Sequence, residues 1–434
     1  MAGEIFTESP VFEPWWWEAA PRGVYDAALP KQTDVAVVGA GFAGLSAALT
    51  LSRAGRSVLV LDAESPGYGA SSRNGGMIGS GHRRGFADLS KAFGEAKARD
   101  FITEGLRSLE FTRELIEREG IDCKLDICGR FRAAWRSQDY DTLARDAEFQ
   151  VKEFGAEMSV VTRAEQSREV GTDRYHGGVI FHQHGGLHPG LFHAGLCDLA
   201  EQAGAVVAGH AAVTRLAREG DGFRLETVRG TVTARDVVIA TNGYTGQVTQ
   251  KLRRGLVPVS SYIVATEPLG DNRMKALIPG GRMIVETRSR HCYYRASPDG
   301  ERLIFGCRAA LRAIDPRTSA ETARKLIVDL FPTLKDVKLS HSWSGRLGMT
   351  RQQLPHVGRH DGLHVALGFN GSGVAMAPYL GHKAALKVLG DAEGRTPFEE
   401  TELTAVPFYD GRPWFLPFMD LYYDMKDRME GPGG

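Results

Sequence analysis

Residues 34–62, DVAVVGAGFAGLSAALTLSRAGRSVLVLD, leave the chain few ways to fold. Val35 to Val38 form a short, mostly β-branched apolar run, the pattern of a strand buried in a parallel sheet. Gly39-Ala40-Gly41-Phe42-Ala43-Gly44 follows, then an alanine- and leucine-rich helix ending near Gly55. Val58 to Leu61 make a second strand, closed by Asp62 and Ala63. Gly39 permits the tight turn, Gly41 lets a diphosphate approach the backbone, and Gly44 lets the helix lie close to the sheet. The helix entrance at Phe42 and Ala43 presents N–H groups to the phosphates. Asp62, 18 residues beyond Gly44, can accept hydrogen bonds from the adenosine ribose hydroxyls, and its charge disfavours a 2′-phosphate. The unit therefore reads as a dinucleotide site, without separating FAD from NAD.

The loop after the second strand favours FAD. Gly69-Ala70-Ser71-Ser72-Arg73-Asn74-Gly75-Gly76 is small and flexible enough to lie along a pyrophosphate and ribityl chain. An NAD dehydrogenase would more often continue into another βαβ unit. Here the chain resembles the D-amino-acid oxidase superfamily of FAD-dependent amine oxidoreductases. Within it the chain resembles the γ-glutamylputrescine oxidoreductase-like and sarcosine/pipecolate oxidase-like members, which carry GASGRNGG where this chain has GASSRNGG. Residues 185–205 resemble the family's helix leading into the strand over the adenine, and Val213 its adenine-contacting residue. VVIATNGY (237–244), with Ala240, Thr241 and Asn242, resembles its second cofactor segment. Gly368 to Gly373, with Gly371 and Val374, resembles its turn into a helix facing the flavin pyrimidine. A helix N-terminus there would stabilise the negative charge of a reduced flavin.

The resemblance implies an α/β fold, α+β overall. A discontinuous FAD domain is expected at 33–85, 150–255 and 345–390, interleaved with a substrate domain at 86–149 and 256–344. Residues 1–32 form an extension and 391–434 a tail. In the substrate domain 260–266, 283–286, 292–295 and 302–305 read as short strands with turn signals between them, as in an antiparallel sheet, and 97–118 has helical spacing. The Trp15-Trp16-Trp17 run reads as packing on the folded body or as a lid. The aromatic stretch 407–424 is expected to pack on the surface or on another subunit.

With 53 basic and 53 acidic residues, no field of one sign exists to gather nucleic acid or an anionic membrane. No apolar run is long enough to span a bilayer and no secretory signal opens the chain, so a cytoplasmic location is the default expectation.

The resemblance implies hydride transfer from a carbon beside nitrogen to flavin N5, then imine hydrolysis, with a small amine or amino acid as substrate. Oxygen or an electron-transfer acceptor would reoxidise the cofactor. Tyr293, Tyr294 and Arg295 lie on a strand that crosses the flavin in the family. Alternation lets only one tyrosine point inward, and Tyr294 with Arg295 is the candidate pair for a substrate carboxylate. The alternative is a core tyrosine and a surface arginine. His82 could reach the pocket mouth, or belong to a solvated basic turn. Trp343 could wall the flavin, or be plain core. Met349 stands where sarcosine oxidases tether FAD to a cysteine, so non-covalent FAD is expected. Residues 302–305 offer no lysine for oxygen activation, which leaves oxidase against dehydrogenase open.

Four other readings are weaker. Cys123 and Cys128 lie on a stretch that alternates like a strand and would face opposite ways, against a redox disulfide. His176, His182, His184 and His188 share their loop with glycines and no acid cluster, so no metal is expected. A monooxygenase or NAD(P)H-linked reductase would usually want a second GxGxxG. A non-catalytic FAD-binding protein is the remaining class.

Overall fold

The computed structural model describes residues 5–429, so the outer ends of the 1–32 extension and the 391–434 tail lie outside the described residues. Two large sheets carry the described chain. The first grows around the strand before the glycine turn. Gln32–Val38 pairs in parallel with Val58–Leu61 on one side and Gly230–Ile239 on the other. Val58–Leu61 pairs onward with Val206–Ala208, and Gly230–Ile239 with Leu363–Leu367, again in parallel. Val35, Val37, Val58 and Val60 are buried beneath helices Phe42–Arg53, Pro189–Gln202 and Gly373–Leu389. Ala36, Leu59, Leu61 and Val237 are buried on the opposite face, against Phe223 and Leu225 of an antiparallel meander. Apolar side chains on both faces are what a strand covered from both sides requires. Helices Phe42–Arg53 and Gly373–Leu389 approach backbone to backbone: a Cβ on Gly381 would strike the Ala43 carbonyl.

The second sheet is mixed. Its order is Phe6–Val11, Leu339–Met349, Val257–Thr266, Leu303–Cys307, Tyr293–Ala296, Met283–Glu286, Arg130–Ala133, Gly178–Phe181, Met158–Val161. The four strands expected from the sequence between 260 and 305 all lie in it, and helix Glu95–Arg118 covers the expected helical stretch. The sequence places 150–255 in the cofactor domain as one piece. Met158–Val161 and Gly178–Phe181 instead extend the second sheet beside Arg130–Ala133. Phe6–Val11 of the extension also joins it, parallel to Leu339–Met349. A short apolar run declares itself a strand without naming its partner, so pattern alone assigns no sheet.

Register fixes what each face of this sheet does. Arg132, Val285, Tyr293, Gly306, Ile263 and Trp343 lie side by side across neighbouring strands. Their neighbours Phe131, Ile284, Tyr294, Phe305 and Val264 point the other way, into a core closed by helix Pro316–Leu330.

The Cys123–Cys128 stretch is not the strand its alternation suggested. Lys124 has a positive φ, one bridge joins Asp126 to Gly186, and both thiols are free. No helix of the described residues is long and apolar enough to cross a membrane.

Candidate active site

One cavity joins the segments singled out in the sequence. It is lined by Gly39, Gly41, Phe42 and Ala43 from the first turn, and by Asp62 and Ala63 at the end of the second strand. Gly69, Ala70, Ser71 and Asn74 of the following loop line it as well. Val213, then Ala240, Thr241 and Asn242, then Gly371, Gly373 and Val374 complete the set. These segments meet because the parallel strands deliver their C-terminal ends to one edge of the sheet, where ligands bind in folds of this type.

The glycines are required by contact. Gly39 has φ 105°, and a Cβ on it would lie 2.9 Å from the Ala240 carbonyl oxygen. A Cβ on Gly44 would collide with the Gly39 carbonyl, so helix and turn can touch only through glycine. A Cβ on Gly41 would sit 2.9 Å from Ser71 Oγ, which accepts the Phe42 N–H at 2.9 Å. Asp62 holds the turn: Oδ2 accepts Ala40 N–H at 2.8 Å and Oδ1 accepts Glu64 N–H at 3.0 Å. Burial pushes its carboxyl above the usual range, opposed by these amide bonds. Each oxygen keeps a lone pair for a further donor.

Two helix entrances border the cavity. Phe42–Arg53 starts at Gly41 and Gly373–Leu389 at Ser372, and neither N-cap residue supplies a side-chain hydrogen bond. A diphosphate fits the first, and the electron-rich edge of a flavin the second. Asn242, at φ 42°, is fixed between the two: its Oδ1 accepts the Gly368 N–H at 3.0 Å. A long cleft walled by glycines, with an acid at one strand end and two helix entrances whose N-cap residues make no side-chain bond, suits FAD.

Other members of the expected cofactor set hold the loop from outside the cavity. Ser72 Oγ donates to the Gly67 carbonyl and accepts Trp17 Nε1–H at 2.7 Å. Arg73 donates to the carbonyls of Tyr68 and Ser344, both at 2.7 Å, and stacks with Trp17 and Tyr68. Gly76 gives its carbonyl to Leu187 N–H and to Arg295, and Gly75 makes room for Tyr293. Trp16 is fully buried against Trp15, His188 and Trp343, so the tryptophan run packs on the body and buttresses this loop.

The substrate-side expectations need correction. Tyr294 faces the core, hydrogen-bonded to Tyr175 at 3.1 Å and packed on Phe305 and Phe331. Tyr293 is the tyrosine turned toward the cofactor loop, its hydroxyl 3.1 Å from Ser261 Oγ. Burial pushes its phenol up to about 12, so it stays a neutral donor at physiological pH. Arg295 is buried and committed to the carbonyls of Gly76, Leu187 and Ala296 at 2.8, 3.0 and 2.9 Å. His82 turns into the helical layer, its Nε2 2.6 Å from the Phe101 carbonyl and its ring on Phe398. Trp343 donates its indole N–H to the Arg73 carbonyl at 2.8 Å and so braces the loop from behind. His188 caps helix Pro189–Gln202, His184 stacks on Phe181, and His182 bonds Ser159.

Tyr68, Tyr244, Leu347 and Phe369 also line the cavity and were not singled out. Tyr244 and Phe369 lay inside quoted motifs, and their aromatic character beside glycine turns was the available signal.

Comparison with known proteins agrees with this geometry. The family described as FAD dependent oxidoreductase matches residues 34–386. Gamma-glutamylputrescine oxidoreductase of Escherichia coli is 32% identical over 401 residues, 91% of this chain and 93% of that protein. Probable oxidoreductase OrdL of Haemophilus influenzae is 31% identical over 388 residues, 88% of each chain. The crystal structure of glycine oxidase from Geobacillus kaustophilus superposes with a TM-score of 0.70 at 24% identity, covering 88% of this chain and 99% of that one. The chain belongs to the FAD dependent oxidoreductase family.

Proposed function

We propose that the protein oxidises the C–N bond of a small amine or amino acid, using non-covalent FAD. The observation that carries this reading is the contact between Tyr293 and Gly75, which sets an aromatic, donor-bearing sheet face directly behind the cofactor loop. The similarity to a gamma-glutamylputrescine oxidoreductase and a glycine oxidase supports the same chemistry.

When bound, the flavin supplies an acceptor for two electrons and a proton from the C–N unit. The chain supplies the place. Tyr293 and Ser261 offer hydroxyls, while Ile263 and Trp343 beside them on the same face are buried under Trp15 and Trp16 and hold that part of the sheet dry. An amine must lose its proton before it can be oxidised. If its pKa is that of a lysine ammonium, neutralising it at pH 7 costs roughly 4–5 kcal/mol. A desolvating wall offsets part of that by disfavouring the cation. The resulting imine is hydrolysed by water to a carbonyl compound and a free amine or ammonia. Met349 packs toward Val259, Leu311 and Leu416 and offers no thiol for a covalent link.

The test is anaerobic mixing of the yellow protein with a panel of amines and amino acids, and separately with NADH. Bleaching by an amine, faster at pH 9 than at pH 7, is the expected result. Bleaching by NADH alone would favour the reductase or monooxygenase reading, and bleaching by neither a non-catalytic role. Admitting air to the reduced sample then distinguishes oxygen from another acceptor.

A further inference from the structure

We propose that helix Leu416–Met429 joins the protein to a second copy of itself, through an apolar face that the rest of the described chain leaves bare.

The helix is anchored by one side only. Leu416 is buried with Val259 and Leu311. One turn on, Asp420 accepts the Leu311 N–H at 2.8 Å and pairs with Arg290 at 3.1 Å, and Asp424 pairs with Arg290 at 2.6 Å. Positions four apart share one side of a helix, so these three fix the side that meets the body. The opposite side carries Phe418, Leu421, Tyr422, Met425 and Met429, between 57 and 83% exposed. Their spacing of three and four residues is that of a stripe packed against another element.

The segment leading into the helix extends the patch. Trp414 is exposed and donates its indole N–H to the Phe408 carbonyl at 3.0 Å. Phe408 is 91% exposed at φ 56°, a backbone region that bulky residues rarely occupy. The turn thus holds two large rings out to solvent in fixed positions. Elsewhere among the described residues the exposed large apolar side chains are five separate valines. Scattered valines are ordinary on a surface, whereas contiguous aromatic residues and methionines mark the core of a protein interface.

Charge and size name the occupant. A helix that lies on a membrane sets Lys and Arg on the side away from its apolar face. Here that side is turned to the body and carries Asp420 and Asp424. Residues 408–429 hold four acids against three bases, so an anionic bilayer gains nothing from them. Nor does the uncharged row offer a pattern by which to select a partner of opposite sign. Two copies of a chain with 53 basic and 53 acidic residues do not repel one another. The exposed parts of these side chains amount to roughly 800 Å² per copy, the area that a stable pair needs from each partner. An isologous pair crosses near the middle of the row, so Leu421 and Tyr422 meet their own counterparts.

The test is sedimentation equilibrium of the FAD-loaded protein from low to high micromolar concentration. The expected mass is twice that of the chain. Leu421→Asp with Tyr422→Asp should weaken the pair at least about a hundredfold, while flavin content and the melting temperature of the monomer stay those of a folded protein. Val228→Asp, equally exposed but off the patch, should leave the dimer intact. Leu421→Cys gives a second reading that needs no charged variant to fold: mild oxidation should yield a disulfide-linked dimer, and Val228→Cys should not. A wild-type monomer at every concentration would overturn the proposal. So would a dimer that survives the double substitution, or a Leu421→Cys protein that never cross-links. A wild-type monomer that pellets with phosphatidylglycerol vesicles would assign the face to a membrane instead.

Discussion

The Tyr293 ring is wedged between two glycines from different parts of the fold. A Cβ on Gly75 would lie 2.8 Å from Tyr293 Cε2, and a Cβ on Gly306 would run into the same ring. The ring cannot swing clear of one without meeting the other. Gly75→Ala should therefore cost about 1–3 kcal/mol through overpacking. The same substitution in a Tyr293→Ala background should cost close to nothing. Denaturant midpoints for the four proteins of this double-mutant cycle measure the coupling. Additive costs would mean that the ring does not press on the loop.

Arg295 should behave as a structural latch. Its guanidinium satisfies the buried carbonyls of Gly76 and Leu187. Arg295→Gln would leave at least one of them without a donor, at about 1–3 kcal/mol. The expected outcome is a lower melting temperature with and without FAD, and weaker FAD retention. Arg295→Lys should not rescue it, because an ammonium cannot reproduce the planar fork. A variant with unchanged melting and FAD retention but a raised KM would return Arg295 to the substrate site.

The cofactor unit was legible because each of its parts is local. The glycine spacing, the β-branched run and Asp62 lie within one stretch of chain, and each is demanded by backbone geometry or charge. The choice between Tyr293 and Tyr294 was not legible in that way. Alternation sets the two on opposite faces without saying which face looks at the cofactor. Tyr175 and Glu286 on one side, and Gly75 and Gly306 on the other, decide it. Those partners are distant in sequence, so the answer appears only when the strands pair. Arg295 was misread for a related reason. An arginine beside a candidate pocket tyrosine suggests an anion, whereas this one is consumed by the backbone carbonyls of Gly76 and Leu187. His82 was drawn away by Phe101 and Phe398, and pattern near residue 82 contains neither.

Acid should destabilise the fold through buried histidines. His188 and His356 are both held down to about 4 from an ordinary 6.5, chiefly by burial, with Arg295 adding to the first and His360 to the second. The folded state disfavours their protonation, and the unfolded chain does not. Stability from these groups is therefore complete above about pH 6.5, falls as pH drops toward 4, and levels off below. Each should contribute about 2 kcal/mol of loss between pH 7 and pH 5. Urea unfolding at the two pH values should show a smaller loss for His356→Gln by that amount. An equal loss in the variant would remove His356 from the explanation.

The central claim is that one cavity, closed at a strand end by Asp62 and entered by the Phe42–Arg53 helix, grips FAD. Titration of the cofactor-free protein with FAD, followed by flavin absorbance and fluorescence, tests it most directly. One FAD per chain should bind to saturation. Asp62→Ala should bind about ten- to a hundredfold more weakly, as loss of a charge-assisted hydrogen bond requires. A protein that takes up no FAD, or an Asp62→Ala variant that binds it as tightly as the parent, would contradict the account.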